Sequence, residues 1–510
     1  MINLRYISML IVFSLLISCQ QKEDRRPLPK VDHKDLSNLH GFNLLEKFTS
    51  LWQCEPYVER DFQLISDYGF NFVRLPMDYR CITEPGQWDL LNEAVMQEVD
   101  QALEWGEKYG IHVCINLHHA PGYCINHRGM YSADSSLWTG EAAKAAFVSL
   151  WRQMSERYKG ISNDNVSFNL LNEPVGTSKE AYLEVAIRAI EAIREEDPDR
   201  LIMSDGWNVG REPIVELVPY DVVQMFRGYW PMSITHYGAG WTNNTYGPDP
   251  EWPSNQYLGQ YIRSSGENGD GTPLVVKHAF NKETPAELTI LRVAGDASLV
   301  VEADGREIFS KAYYPEKDEV LDREYDPETG LPVGVYVEML NFVVPAGTGH
   351  LTVWARDGEW ISFGILSVYL EGAGEDPVDI IPGNIWSNAG VPVLIRDDGF
   401  VTENAPYADW DSIYRADHLE PWINFMNEYN IGIMVGEWGV YEKAPRDVTM
   451  EWMEYMLQTW QEYDLGWAMW NFRGSFGVAE NNRRDTEFTK VDGLMMDEAM
   501  LKMLEESISE

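Results

Sequence analysis

Val166-Ser167-Phe168-Asn169-Leu170-Leu171-Asn172-Glu173-Pro174 reads as a short apolar strand running out into an Asn-Glu-Pro turn. The same pattern returns far downstream in Ile433-Met434-Val435-Gly436-Glu437-Trp438-Gly439. Six further runs share it: Gly41-Phe42-Asn43-Leu44, Phe70 to Leu75, Val113 to Leu117, Leu201 to Met203, Val222 to Phe226 and Trp467 to Trp470. Helix-period segments lie between several of them. In one, Leu183, Ala186, Ile187, Ile190 and Ile193 share a face, with Thr177-Ser178-Lys179-Glu180 as a capping box and Asp197-Pro198 as the stop. Another carries Val95, Val99, Leu103 and Tyr109 ahead of Gly110. Strand and helix alternating this often imply a parallel sheet with right-handed crossovers, and eight repeats imply a closed α/β barrel of the (β/α)8 type. A doubly wound open sheet is the competing arrangement. The barrel sets the carboxyl end of every strand on one rim, and the notable residues lie at such ends. Glu173 and Glu437 are thus two carboxyl groups held rigidly yet facing a ligand, which is the equipment of general acid/base chemistry. Read singly, each is a strand-end glutamate capping a nearby loop; the repeated context favours chemistry.

The bulk properties narrow the ligand. The chain has 510 residues, 45% of them hydrophobic, with 19 Trp and 26 Tyr, which suits large packed cores. Its 81 acidic and 40 basic residues give a formal charge of −41. That field repels nucleic acid and anionic membrane surfaces. A neutral, hydroxyl-rich ligand fits an acidic protein with many aromatic rings, because the C–H faces of sugars stack on Trp and Tyr.

From about Thr272 to Leu370 the pattern changes to period-two strands: Leu288-Thr289-Ile290, Leu299-Val300-Val301, Phe342-Val343-Val344 and Leu351-Thr352-Val353-Trp354. Asp304-Gly305 and Asp357-Gly358 have the form of two-residue hairpin turns. The expected organisation is a first barrel part over 36–255 and a second over 380–510. Between them, in the loop after the sixth strand, an antiparallel β-sandwich is expected over 272–371. Such a module binds carbohydrate, walls off one end of a cleft, or decorates the barrel.

At the N-terminus, Arg5 precedes the apolar run Ile7 to Ile17, too short to span a bilayer but suited to a signal peptide. Leu16-Ile17-Ser18-Cys19 resembles the lipobox of bacterial lipoproteins, and Gln20-Gln21-Lys22-Glu23-Asp24 is similar to the signal that sends Bacteroidetes lipoproteins to the cell surface. The resemblance implies a signal peptide over 1–19, lipidation at Cys19 and a flexible stalk over 20–35, with contact to the membrane through the lipid alone; a plain secretory peptide cleaved elsewhere is the alternative. Of the remaining cysteines, Cys114 lies in the apolar run after His112 and reads as core. One disulfide among Cys54, Cys81 and Cys124 is compatible with export. No spacing suggests zinc, and no cofactor is expected.

Five stretches stand in the order and spacing of a known family. They are Phe72-Val73-Arg74-Leu75-Pro76, Leu117-His118-His119-Ala120-Pro121-Gly122-Tyr123, Leu171-Asn172-Glu173-Pro174, Gly436-Glu437-Trp438-Gly439-Val440 and Met469-Trp470-Asn471. Together they resemble glycoside hydrolase family 5, nearest its cellulase and exo-glucanase branches, from about residue 40 to 503 outside the insert. The resemblance implies that Glu173 is the general acid/base and Glu437 the nucleophile. Arg74 would stand beside that nucleophile and keep it charged. Asn172 would bind the 2-hydroxyl of the sugar. His118 would line the −1 subsite, with His119 beside it, and Trp470 would be the platform beneath the −1 sugar. Salt-bridge or core roles are the plainer readings of Arg74, His118 and Trp470.

One departure stands out. Many members carry His-x-Tyr at the end of strand six; here Phe226-Arg227-Gly228-Tyr229 places an arginine where the histidine belongs. Arg227 either supports Glu437 alongside Arg74 or recognises an acidic or altered glycan. His236 and Trp241 are expected to line the cleft, as is Trp207. The activity implied is a retaining β-glycoside hydrolase cleaving a β-linked glucan, or alternatively a β-mannan, in polysaccharide degradation at the surface of a bacterium. The rivals are a glycan-binding lipoprotein on the same scaffold and a transglycosylase.

Overall fold

A computed structural model describes residues 26–508 except 51–53, 126–134, 243–249, 254–257, 264–270, 326–329, 371–376, 383, 389–391, 397–398 and 403–413. The signal-peptide and lipidation expectations, Cys19 included, lie outside the described residues.

Eight parallel strands close into a barrel: β1 His40–Asn43, β2 Phe72–Asp78, β3 His112–His119, β4 Val166–Asn169, β5 Ile202–Asp205, β6 Val223–Gly228, β7 Ile433–Trp438 and β8 Gly466–Met469, with β8 returning to β1. Every residue of β2, β3, β4, β5, β7 and β8 is buried, because helices cover the outside and side chains fill the inside. The covering helices include α1 Glu59–Asp67, α2 Glu93–Tyr109, α3 Glu141–Tyr158, α4 Lys179–Glu196, α5 Glu420–Tyr429, α6 Arg446–Gln461 and α7 Glu498–Ser507. On α4 the N-cap is Ser178, whose side chain accepts from Ala181 N, one residue later than the expected Thr177 box; Asp197 closes the helix as expected.

The floor of the barrel is sealed by Leu36 and Leu39 packing on Phe72, Cys114, Met203, Met225 and Met434. The residues leading into it correct the expected stalk, which is not free over 26–35. Arg26 donates to Ser66 Oγ at 2.7 Å and pairs with Asp67 at 2.8 Å at the end of α1. Val31 N donates to Asp164 Oδ1 at 3.2 Å just before β4, and Gly432 N donates to His33 O at 2.8 Å just before β7. A polar composition suggested slack chain; the polar groups are instead spent on the loops that feed the strands.

Between β6 and β7 stands a β-sandwich larger than expected. One sheet runs Arg306–Tyr313, Ala297–Ala303, Thr348–Arg356, Leu274–Phe280, Val393–Arg396 and Gly399–Thr402. The other runs Asp322–Tyr325, Pro332–Val344, Thr284–Ala294, Trp360–Val368, Gly259–Arg263 and Asn384–Asn388, with Val378–Ile380 pairing on Trp360–Val368. The strands at 259–263 and 378–402 correct both expected boundaries, 272–371 for the sandwich and 380 for the second barrel part. They are three to five residues long, and Gly259–Arg263 and Asn384–Asn388 find each other only across the whole insert, so no local pattern marks that pair. Leu288, Ile290, Leu299, Val301, Val353, Phe363 and Leu366 are buried in one shared core. The expected Asp304-Gly305 hairpin is present, with φ of 47° and 80° and Ala303 paired to Arg306. Asp357 and Gly358, with φ of 60° and 65°, correct the second expectation, because they turn the chain from one sheet to the other and Thr348–Arg356 does not pair with Trp360–Val368.

The expected disulfide joins Cys54 to Cys81, with Cα atoms 5.7 Å apart. Cys114 and Cys124 are free and buried.

Candidate active site

At the carboxyl end of the barrel, polar side chains replace the apolar filling. Arg74 from β2 is fully buried and uses every part of its guanidinium. Its Nε donates to Asn169 Oδ1 at 2.9 Å and its Nη2 to Asn172 Oδ1 at 2.9 Å. Its Nη1 donates to Asn43 Oδ1 at 2.9 Å and to Glu437 Oε1 at 2.7 Å. Asn43 in turn donates to Gly436 O and Met469 O, at 3.2 and 3.1 Å, stitching β1 to β7 and β8.

Glu437 reaches this point through a bulge. The pairing of β7 shifts register between Val435 and Glu437 against β6, and between Val435 and Trp438 against β8. Met434 faces inward, so strict alternation would turn Glu437 outward; the extra residue re-aims it into the mouth. Trp438 then packs outward on Trp452 and Trp460 of α6, at ring separations of 6.2 and 4.9 Å. Glycine is required at 436, because a Cβ there would stand 2.9 Å from Met225 and 3.1 Å from Arg227 Nη1.

Glu173 sits just beyond β4 with φ of 47°, a backbone conformation that costs a non-glycine residue about 1–3 kcal/mol. Two hydrogen bonds hold it there. Its N–H donates to Asp205 Oδ2 at 2.7 Å, and its carbonyl accepts from Tyr123 OH at 2.5 Å. Its carboxylate meets Arg227 of β6, whose Nε donates to Glu173 Oε1 at 2.8 Å. Arg227 Nη2 lies 3.1 Å from Glu437 Oε1 and donates to Asn172 Oδ1 at 2.9 Å. The two glutamates therefore share one pocket and one guanidinium.

Three carboxyl groups, Glu173, Glu437 and Asp205, thus face two guanidiniums, Arg74 and Arg227. Burial is the largest influence on Glu437 and raises it to about 7, against the pull of Arg227 and Arg74; Glu173 and Asp205 push it in the same upward direction. The expected partnership with Arg74 is present, but it does not outweigh burial. The pocket holds one more acid than its cations balance and retains a proton close to neutrality.

The opposite wall is aromatic. Phe48 stands 4.6 Å from the His118 ring and 5.4 Å from that of Trp470, and His118 lies 5.4 Å from Trp470. Burial, with the charges of His119, Arg74 and Arg227, holds His118 well below the ordinary histidine range, so it is neutral. His119 behaves oppositely. Burial opposes its charge, but Asp78 at 3.0 Å from Nδ1, with Cys124, raises it to about 9. Its folded value exceeds the unfolded value of about 6.5, so the stability it contributes is full below about pH 6.5 and is lost as pH rises through about 9. His119→Gln is expected to flatten the fall in melting temperature over that interval, which calorimetry from pH 6 to 9.5 would measure; an unchanged slope would contradict it.

Tyr229 points its hydroxyl at Glu437 Oε2 at the long distance of 3.5 Å. His236 stands behind it, 5.0 Å from its ring and 5.7 Å from Phe476, and burial lowers it to about 4. Trp241 is 60% exposed at the rim, its ring 4.9 Å from Tyr441, while Trp207 packs on Tyr182 at 5.9 Å. The sequence reading missed Asn43, Asn169, Asp205 and Phe48. The first three were visible as the polar last residues of apolar runs.

Residues 31–257 match the family model described as Cellulase (glycosyl hydrolase family 5). The chain is 30% identical over 207 residues to Endoglucanase C of Acetivibrio thermocellus, covering 39% of this chain and 59% of that one. It is 36% identical over 141 residues to Glucan 1,3-beta-glucosidase 2 of Wickerhamomyces anomalus, covering 26% and 30% respectively. It spans less than two thirds of the length of either relative. A crystal structure described as a glycoside hydrolase covers 92% of this chain and 99% of its own, with a TM-score of 0.57 at 24% identity, a likeness of fold.

Proposed function

We propose that this chain, which over residues 31–257 belongs to glycosyl hydrolase family 5, is a retaining β-glycoside hydrolase acting on a β-linked glucan. The observation that carries this reading is the meeting of Glu173 and Glu437 across Arg227 at the mouth of the barrel. Glu173 donates its proton to the glycosidic oxygen as that bond breaks, while Glu437 attacks the anomeric carbon. Glu173 then takes a proton from water, whose oxygen displaces Glu437 from the sugar. Asn172 supports the orientation. Its Oδ1 serves both guanidiniums, and its buried Nδ2, without a partner among the described residues, is left to donate to the 2-hydroxyl. The names of the two relatives point to glucan as the class and leave β-1,3 and β-1,4 linkages as outcomes of the assay.

The test is a panel of β-1,3-glucan, β-1,4-glucan and β-mannan, with product sizing and NMR of the anomer first released. Release of the β-anomer is expected; the α-anomer would overturn retention, and an inert panel would overturn the activity. Because Glu437 attacks as its carboxylate, kcat/KM is expected to rise as pH passes upward through about 7.

A further inference from the structure

Arg227 engages protein through Nε and Nη2, while its buried Nη1, without a hydrogen-bond partner among the described residues, lies against Gly436, where an added Cβ would stand 3.1 Å from it. Its side chain is 5% exposed. Its Nη2 contacts Asp205 Oδ2, the same oxygen that accepts from Glu173 N at 2.7 Å. Asp205 is itself fully buried and accepts from Asn169 Nδ2 at 3.1 Å. One carboxylate oxygen therefore holds both the backbone of Glu173 and the guanidinium that touches its carboxylate. The space for that guanidinium exists because residue 436 lacks a Cβ.

We propose that Asp205 and Arg227 form a positioning pair that sets the spacing and charge of Glu173 and Glu437, so that the Arg227 cation is committed to these two carboxylates and the sugar accepted between them is neutral. This rests on the hydrolase reading above and assigns the residue at which this chain departs from the expected histidine. The other charged or titratable groups facing the two carboxylates are Arg74 from β2 and Tyr229 beyond β6, while His118 from β3 faces the guanidiniums of Arg74 and Arg227. None of these lies between the two glutamates as Arg227 does. With three acids, one retained proton and two cations, the pocket is already balanced, and no guanidinium is left over to pair with an anion on the sugar.

The two partners carry opposite charge, so their removal has opposite signs. In Arg227→Gln a cation beside both carboxyls is lost, and both limbs of the pH profile of kcat/KM are expected to move to higher pH by about one unit. In Asp205→Asn an anion is lost, and both limbs are expected to move down. Arg227→Lys returns the cation and is expected to restore much of the shift. A fall in rate with both limbs unmoved, or moved the same way in the two variants, would reduce the pair to scaffolding and overturn the proposal. So would faster hydrolysis of an aryl β-glucuronide than of the matching β-glucoside by the unaltered protein. NMR titration of carboxyl-labelled glutamates in the resting protein gives the same contrast without turnover. Opposite shifts there, beside an inert substrate panel, would remove the hydrolase reading and leave the charge coupling standing; an active enzyme with parallel or absent shifts would do the reverse.

Discussion

Replacing Glu437 with alanine is expected to lower hydrolysis of every glycan the protein accepts by on the order of 10^5-fold. No other described carboxyl can take its place: Asp205 is held by Glu173 N, Asn169 and Arg227, and Glu173 is needed for the proton. Glu437→Gln keeps the volume of the side chain and is expected to be equally inert, which separates lost chemistry from lost packing. Glu173→Ala should behave differently. General acid/base catalysis contributes roughly 10²–10⁴-fold, and most of that is needed when the leaving oxygen is a poor one. Its deficit should therefore be large on glucan and small for the first step on an aryl glycoside with an acidic phenol. Rates measured on both substrate types decide the matter. A Glu437→Ala protein within tenfold of the parent would remove it from the chemistry.

Arg74→Ala is expected to produce the largest loss of stability among substitutions in the pocket, about 3–5 kcal/mol. The side chain is fully buried, and its removal strands the Asn43 and Asn169 side-chain oxygens and takes from the Glu437 carboxylate one of its two cations, leaving Arg227 alone. The sign of the pH dependence follows from Glu437, which is raised by burial to about 7. Below that pH the carboxyl is neutral and tolerates the loss of the cation better; above it the charge left with one cation is costly. Unfolding of parent and variant in urea at pH 5.5 and 8.5 should show the larger gap at the higher pH. A gap below 1 kcal/mol at both would mean that Arg74 holds nothing together.

The barrel was legible because a parallel strand covered on both faces leaves an uninterrupted apolar run, and eight such runs survive in this sequence. The catalytic candidates were legible because each run ends in a polar turn. What the sequence hid depends on neighbours. The bulge that turns Glu437 inward is a matter of register between β6, β7 and β8, and nothing in Val435-Gly436-Glu437 alone requires it. Asp205 was not singled out, although Glu173 and Arg227 converge on its carboxylate oxygen. Arg227 itself was recognised as a departure, but its two possible roles separated only once its partners were placed. The sandwich margins were lost for the same reason: Gly259–Arg263 and Asn384–Asn388 pair with each other across more than a hundred residues.

The segment that binds Arg26 to Ser66 and Asp67, Val31 to Asp164, and His33 to Gly432 fixes where the chain enters the barrel. Entry is beneath the base, on the side away from Glu173 and Glu437. Arg26 therefore stands below the bowl, where a stem would meet a cup. Were that stem fastened to a cell envelope, the open bowl would look outward, presented to long insoluble chains too bulky to slip between enzyme and surface.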